Sequence, residues 1–238
     1  MSFIENNLKR GSTRDYQIGY EISEEDKEKL IKTIQNAPTS NNYFASSVIV
    51  IEDQNTKDKL AEILQQKQVR ECSMFFIFLA DNNRIDYVLK TKNKNIENKT
   101  LNSLLLSVGD AFIQATMLQD AATELDLGTC FIGGVRGHIS EINRLLKIKN
   151  SAFPAVALTV GKAAKKADLK PKINRIYYEQ YSYAQVVDEI VPYNEKLTNY
   201  WKNKNIEGDY VNASANYLSK RVSGRDKTII NIAKIKKM

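Results

Sequence analysis

Two adjacent glycines at the end of an apolar run are the first residues that suggest a ligand site. The sequence of residues 127–137 is Leu-Gly-Thr-Cys-Phe-Ile-Gly-Gly-Val-Arg-Gly, and a helical pattern of apolar residues follows it. Because Gly133 and Gly134 have no Cβ atoms, a flat ligand can lie against their backbone, with amides available to a ring nitrogen or carbonyl. The same pair also fits a tight strand-to-helix turn that binds nothing.

Two basic clusters are suited to anionic groups. The sequence of residues 10–14 is Arg-Gly-Ser-Thr-Arg, in which the arginine forks can bind phosphate oxygens in pairs while glycine lets backbone amides approach. The second cluster, residues 162–172, ends in Lys-Pro-Lys, with two ammonium groups on a backbone that proline keeps extended. Clusters of this kind also occur on ordinary solvated surfaces.

A polar loop is a third candidate. The sequence of residues 37–46 is Ala-Pro-Thr-Ser-Asn-Asn-Tyr-Phe-Ala-Ser, just before a predicted strand at 47–51. Its small hydroxyls and amides suit the polar edge of a heterocycle, and the same composition fits a plain connection equally well.

Apolar periodicity predicts the elements that position these groups. Residues 100–126 are apolar around most of a helix, which indicates a buried central helix or one at a subunit interface. A helical tail from residue 181, interrupted near Pro192 and again near Gly208 and Gly224, has too little core to fold alone. It is expected to pack on the body or on a second subunit. The other predicted helices are a short opening helix with Ile4 and Leu8, 23–36, 56–67 and one after residue 139. The predicted strands are 47–51, 73–80, the 127–132 run and 155–160, and residues 90–99 are predicted to be a loop.

Composition places the chain among soluble globular proteins. It has 238 residues, 42% hydrophobic and 26% charged, no unbroken apolar run of about 20 residues, and no apolar core of a signal peptide at the N-terminus. The net charge is +7, but the basic residues are interleaved with acidic ones and no nucleic-acid motif accompanies them. Neither nucleic acid nor a membrane is therefore an expected partner. One histidine, His138, excludes a multi-histidine metal site, and Cys72 and Cys130 are expected to be buried thiols in a cytoplasmic protein.

The order of these motifs carries a resemblance. An Arg-x-Ser-x-Arg cluster, a Pro-Thr-Ser-Asn-Asn loop, a glutamine after the third helix, a Gly-x-x-x-Ile-Gly-Gly-x-Arg strand exit and a Leu-Lys-Pro-Lys loop follow one another. The whole chain resembles the FMN-dependent nitroreductase family, in particular its oxygen-insensitive NAD(P)H nitroreductases and flavin reductases. The resemblance implies an α+β fold: a mixed, mainly antiparallel sheet wrapped by helices in an intertwined homodimer. It also implies one FMN-binding domain over residues 1–238, with a helical C-terminal extension at 191–238.

The resemblance further implies tightly bound FMN at the dimer interface, with NADH or NADPH as electron donor. Basic residues would surround its phosphate, and residues of the polar loop would lie near its pyrimidine edge, some of them donated by the second subunit. A glutamine would face its ribityl chain or its ring, and the glycine turn would lie against the isoalloxazine with an amide aimed at N5. The residues implied are Arg10, Ser12, Arg14, Thr39, Ser40, Asn41, Asn42, Gln66, Phe131, Ile132, Gly133, Gly134, Lys170 and Lys172. Arg225 matches an arginine that the family brings near the flavin, although it fits a surface position as well.

By the same resemblance, the nicotinamide passes hydride to flavin N5, and a nitroaromatic, a quinone or free flavin is then reduced. No catalytic side chain and no metal is implied. Two alternatives remain open: a flavin reductase that supplies reduced FMN to a partner monooxygenase, and a non-catalytic basic binding protein on a flavin-family scaffold.

Two residues and one segment depart from the family pattern. Gly11 stands where relatives usually carry arginine, and Lys172 stands where they usually carry the second cation as arginine. Both changes weaken the phosphate site without removing it. Arginines expected near residues 202–209 are replaced by Lys-Asn-Lys-Asn-Ile-Glu-Gly-Asp, which leaves the choice between NADH and NADPH open.

Overall fold

A four-stranded antiparallel sheet forms the centre of the larger unit of the chain. The computed structural model describes residues 2–94 and 101–219. Its strands are β1 (Ser46–Ile51), β2 (Met74–Asp81), β3 (Gly128–Ile132) and β4 (Ala152–Gly161), in the spatial order β1-β2-β4-β3. All three pairings are antiparallel. The predicted α+β class with a mainly antiparallel sheet is confirmed, and β1 and β3 are its opposite edges.

Helices cover both faces of the sheet. The alternation of side chains along β2 directs Phe76 and Phe78 into one hydrophobic core and Phe75 and Ile77 into another. Among the described residues of this unit, the helices are α1 (Phe3–Lys9), α2 (Glu24–Gln35), α3 (Gln54–Leu64), α4 (Lys67–Glu71), α5 (Asn83–Thr91), α6 (Leu101–Glu124) and α7 (Ile139–Leu146).

Helix α6 is the long central helix predicted from the sequence. Ala111, Ala115, Leu118 and Ala122 are fully buried in the core that they share with β2 and β4. By length and composition alone, with a mean hydropathy of 1.3, α6 is also long and apolar enough to cross a membrane. Core helices of soluble proteins meet the same criterion. One face of α6 packs on the sheet, and 28% of the apolar window is buried within the chain.

Two local features differ from the predictions. The predicted helix at 56–67 is divided into α3 and α4, because Gln65 adopts a left-handed conformation with φ 54°. Residues 83–91 form α5, so the predicted loop at 90–99 begins inside a helix.

A second compact unit is formed by Asp168–Gly224. It contains α8 (Tyr183–Lys202), which Ser182 caps, and α9 (Tyr210–Ser219). Helix α8 continues through Pro192, so the predicted interruption there is wrong: the hydrogen bond and the steric fit that an interior proline loses do not end the helix here. The predicted extension, residues 191–238, begins within α8.

Candidate functional site

The segment after α1 lies along β3. Ser12 forms a parallel β-bridge with Thr129, and the Thr13 amide donates to the Thr129 carbonyl at 2.8 Å. Thr13 is buried against Gly128, where an ideal Cβ would lie 2.4 Å from Thr13 Oγ1. A residue with a side chain at 128 would therefore push this segment away. We call residues 10–17 the N-terminal arm. Because Gly128 has no Cβ atom, the arm can lie against β3.

The loop after β4 holds the other end of the arm. Tyr16 forms an antiparallel bridge with Ala163, and the Ala164 amide donates to the Asp15 carbonyl at 2.9 Å. The Tyr16 hydroxyl is buried 2.7 Å from Thr159 Oγ1, and burial raises its pKa well above the usual value. The arm is thus pinned on both sides of Arg14, although Arg14 itself is exposed.

The basic groups of the arm have few internal partners. The Arg14 guanidinium makes a long contact, 3.5 Å, with the Ser12 carbonyl, and Arg10 Nε donates to Asn7 Oδ1 at 3.0 Å. Lys67, at the start of α4, donates to Asp15 at 2.7 Å, and this hydrogen bond together with the ammonium charge holds the pKa of the Asp15 carboxyl below its usual value. Sequence reasoning missed Lys67, which brings a third cation to the arm.

The glycine turn follows the far end of β3. Gly133 and Gly134 begin a 3-10 turn that extends to Gly137, and the first amides of such a turn have no acceptor within it. An ideal Cβ on Gly134 would lie 3.4 Å from Gln66 Nε2, so the Gln66 carboxamide faces the turn. Its oxygen accepts from Gln68 Nε2 at 2.8 Å. The structure therefore brings together three of the predicted site residues, Gln66, Gly133 and Gly134.

Two other predicted residues of this strand face the interior. Ile132 is buried in the core that contains Phe75, and Phe131 packs against the opposite core. The backbone of these residues, rather than their side chains, is therefore the part that borders the glycine turn. Arg136 stabilises the turn, since its Nη1 donates to the Ala155 carbonyl at 2.7 Å.

The arm and the glycine turn lie at opposite ends of β3. Four residues of extended chain, about 13 Å, separate Thr129 beside the arm from Gly133. FMN likewise carries its phosphate at one end and its rings at the other. Basic groups at the arm and amide donors with bare backbone at the turn are the donor set that such a molecule requires, and Gly133 is exposed.

The polar loop with Thr39, Ser40, Asn41 and Asn42 lies elsewhere. It leads into β1, which is separated from β3 by two strands, or about 14 Å across the sheet. Within one chain the structure thus does not bring these four residues together with Gly133.

Asp110 of α6, which sequence reasoning missed, organises this loop. Its carboxylate accepts from the Thr39 hydroxyl and from the amides of Ser40 and Ala45, the last two at 3.2 Å. Thr39 Oγ1 in turn accepts from the Phe44 amide at 3.0 Å. The Thr39 hydroxyl is therefore engaged inside the loop.

The remaining predicted basic residues belong to other parts of the chain. Lys170 and Lys172 are exposed residues of the second compact unit. In that unit Asp168 pairs with Lys204 at 2.8 Å, and hydrogen bonds from Lys204 and then Tyr200 lower the pKa of Asp168. Arg225 lies outside the described residues.

The described residues offer neither a metal centre nor an activated thiol. Among residues 2–94 and 101–219, no group of three or more His, Cys, Asp or Glu side chains is placed to hold a metal ion. Cys72 and Cys130 are buried, and burial raises the pKa of Cys72 to about 12.

Comparisons with known proteins match most of the chain. A model of the nitroreductase family matches residues 8–162. The chain is 31% identical over 197 residues to a protein named Cr(VI) reductase from Pseudomonas sp. (strain G-1), with 81% of each chain covered. It is 30% identical over 194 residues to the FMN reductase [NAD(P)H] of Bacillus subtilis (strain 168), covering 79% of this chain and 78% of the relative.

A solved structure extends the likeness over nearly the whole chain. NfrA1 of B. megaterium superposes with a TM-score of 0.88 at 28% identity and covers 98% of both chains. The family match spans the arm, the glycine turn and every strand of the sheet. The chain belongs to the nitroreductase family.

Proposed function

We propose that the protein is an FMN-dependent NAD(P)H oxidoreductase that passes electrons from a nicotinamide to a small-molecule acceptor. The observation that carries this proposal is the arrangement along β3, with the basic arm at one end and the Gln66–glycine turn at the other. The relative named FMN reductase [NAD(P)H] supports the same pair of cofactors. Acceptors to consider are nitroaromatics, quinones, free flavin and, from the name of the Pseudomonas relative, chromate.

The arm would hold the FMN phosphate. Arg10 and Arg14 offer charged forks, and the Ser12 hydroxyl offers a further donor. The resemblance to the family also assigns Lys170 and Lys172 to the phosphate; both are exposed residues of the second compact unit. Lys67 strengthens the positive field at this end, although Asp15 offsets part of its charge.

The glycine turn would hold the ring system. The Gly133 and Gly134 amides would donate to its polar atoms, the Gln66 carboxamide would fix its orientation, and the bare glycine backbone would allow close approach from one side only. FMN, when bound, supplies hydride transfer at N5, and the protein contributes binding, orientation and electrostatics. The opposite face would remain open to the nicotinamide and then to the acceptor.

A second copy of the chain would complete this site. Because the polar loop and Gly133 lie at opposite edges of one sheet, we propose a homodimer in which the loop of one copy reaches the FMN of the other. Helix α6 offers an apolar surface for such a contact, with Leu101, Leu105, Phe112 and Ile113 all exposed. The buried thiols are compatible with the reducing cytoplasm, which we propose as the location.

Absorption spectroscopy of the purified protein tests the function directly. After incubation with FMN and desalting, the protein should retain flavin absorbance, which should bleach anaerobically with NADH or NADPH and return when an acceptor is added. Acceptors should be compared as a panel, because the reaction chemistry belongs to the flavin rather than to an acceptor-specific side chain. A protein that retains no flavin, or whose flavin is not bleached by either nicotinamide, would contradict the proposal. Sedimentation analysis should give a dimer; a monomer that still binds FMN tightly would contradict the shared site.

A further inference from the structure

Asp110 is an acidic residue buried in the middle of an otherwise largely apolar helix. Its exposed fraction is 3%. An ionised carboxylate in such a place is unfavourable unless hydrogen bonds stabilise it. Three donors do so, and all three belong to residues 39–45, which we call the 39–45 loop: the Thr39 hydroxyl and the amides of Ser40 and Ala45. The carboxylate therefore joins the two ends of one loop.

The backbone of this loop needs such support. Asn41, Asn42 and Phe44 all adopt left-handed conformations, with φ of 50°, 55° and 47°. Asparagine tolerates this region, but a phenylalanine there is uncommon, because its Cβ crowds the backbone. Three such residues within four positions persist only where the surroundings fix them. Asp110 supplies an acceptor before this turn, at Ser40, and another after it, at Ala45.

A second group fixes the exit of the loop. Arg84 Nη1 donates to the Phe44 carbonyl at 3.2 Å and to the Ser46 carbonyl at 3.1 Å. The 39–45 loop is thus held from α6 on one side and from α5 on the other. Meanwhile the side chains of Asn41 and Asn42 are exposed. The Thr39 hydroxyl is thus engaged with Asp110 and the Phe44 amide, whereas the side chains of Asn41 and Asn42 face outward.

We propose that Asp110 is a positioning residue for the flavin site: it fixes the 39–45 loop in the shape that presents Ser40, Asn41 and Asn42 to FMN on the second copy. This inference rests on the proposed function. It assigns to Asp110 no contact with the cofactor; its effect on FMN is transmitted through the hydrogen bonds to Ser40 and Ala45. The residue therefore acts on cofactor affinity by pre-ordering the loop.

Asp110→Asn tests the proposal with little change in side-chain size. The asparagine places an N–H₂ group where one of the loop donors needs an acceptor, so the loop loses part of its support. Asp120→Asn is the matched control, since Asp120 lies on the same helix, is half-buried and accepts only one described side-chain bond, from Asn7 at 3.3 Å. Two quantities should be measured for each protein: the Kd of the apoprotein for FMN by flavin fluorescence, and hydrogen exchange of peptides covering 39–45 and β2.

In Asp110→Asn we expect a rise in the Kd for FMN of about tenfold or more, together with faster exchange in the 39–45 peptide and unchanged exchange in β2. Asp120→Asn should match the wild type in both. If the wild type binds FMN and Asp110→Asn binds it equally well, Asp110 has no positioning role and the proposed function stands. If faster exchange spreads over β2 while the Kd is unchanged, the role of Asp110 is merely structural and the inference is wrong. If the wild type itself fails to bind FMN, the proposed function falls and the inference falls with it.

Thr39→Val covers the case in which Asp110→Asn does not fold. Valine has nearly the shape of threonine but lacks the hydroxyl that joins Asp110 to the Phe44 amide. Faster exchange in the 39–45 peptide with weaker FMN binding would support the inference. Exchange in that peptide at the wild-type rate would overturn it.

Discussion

Replacing Gly128 with alanine should detach the N-terminal arm from β3. An ideal Cβ at this position lies 2.4 Å from Thr13 Oγ1 and 2.9 Å from both Thr13 Cβ and Thr13 Cγ2. Rotation of the threonine side chain cannot relieve the contact, because Cβ is fixed to the backbone. The arm itself has to move, and the hydrogen bond from the Thr13 amide to the Thr129 carbonyl, now 2.8 Å, has to lengthen.

The size of the effect follows from this geometry. Overpacking at a buried site typically costs about 1–3 kcal/mol. For a chain of this length each kcal/mol lowers Tm by roughly 2–4 °C, so a decrease of about 2–12 °C is expected. FMN binding should weaken as well, because the arm carries Ser12 and Arg14. Loss of one hydrogen bond to a charged group, about 1.5–3 kcal/mol, corresponds to a Kd raised roughly 10- to 150-fold.

A double-mutant cycle with Thr13→Gly isolates this contact. Glycine at 13 removes all three of the threonine atoms that the new Cβ would meet, so the double variant should recover part of the stability and FMN affinity lost in Gly128→Ala. Thermal unfolding and FMN titration of the four proteins should give a coupling of at least about 0.5 kcal/mol. Purely additive effects, or a Gly128→Ala protein with unchanged Tm and unchanged Kd, would show that the arm does not depend on the missing Cβ.

Three further predictions concern the site and the thiols. Arg14→Ala should lose a charge-assisted contact worth about 1.5–3 kcal/mol and purify with little FMN. The control Arg144→Ala, on the exposed face of α7, should retain its FMN. A full flavin complement in Arg14→Ala would place the phosphate elsewhere. Gly133→Val should fold, because the nearest atom to a Cβ at this position is Arg136 Nη2, 3.2 Å away at the end of a flexible side chain. The variant should show impaired flavin content or turnover. Unchanged values of both would make the turn a plain connection. Cys72 and Cys130 are both buried, and burial raises the pKa of Cys72 to about 12, so Ellman's reagent should titrate the two thiols of the chain rapidly only after unfolding.

Much of the fold could be predicted because it depends on local pattern. The apolar circumference of residues 100–126 predicted α6, and the apolar runs predicted all four strands to within a few residues. The exceptions are places where the backbone departs from what the local sequence favours. Gln65 is left-handed at the end of α3, and α8 continues through Pro192.

The candidate site was predictable only where a motif is contiguous. The glycine pair and the arm are short stretches with recognisable chemistry, and the resemblance supplied Gln66. Asp110 had no such pattern, because its donors are 65 to 71 residues away in the chain. Gly128 likewise has no evident role until Thr13 is seen to lie against it. Long-range hydrogen bonds and close approaches of this kind are properties of the folded chain rather than of any stretch of sequence.

The preference between NADH and NADPH is decided by groups that can bind the 2′-phosphate. Recognition of that phosphate usually takes arginine in a bidentate arrangement. The 202–209 segment offers two lysines instead, and Lys204 already pairs with Asp168 at 2.8 Å, which raises the pKa of Lys204 and keeps its ammonium engaged. Hydrogen bonds from the amide and side chain of Asn212 lower the pKa of Asp209, so an ionised carboxylate lies close by in sequence.

We therefore expect both nicotinamides to be accepted with kcat/KM values within about tenfold, a difference of roughly 1.4 kcal/mol. Steady-state kinetics with each donor at one fixed acceptor concentration measures the ratio. Asp168→Asn should move it toward NADPH, because the variant releases the Lys204 ammonium, whereas Asp58→Asn, on α3, should leave it unchanged. A wild-type preference for NADPH of a hundredfold or more would contradict this reasoning. It would mean that other cations bind the 2′-phosphate. Lys220 and Arg221, which lie outside the described residues, would be the first to substitute.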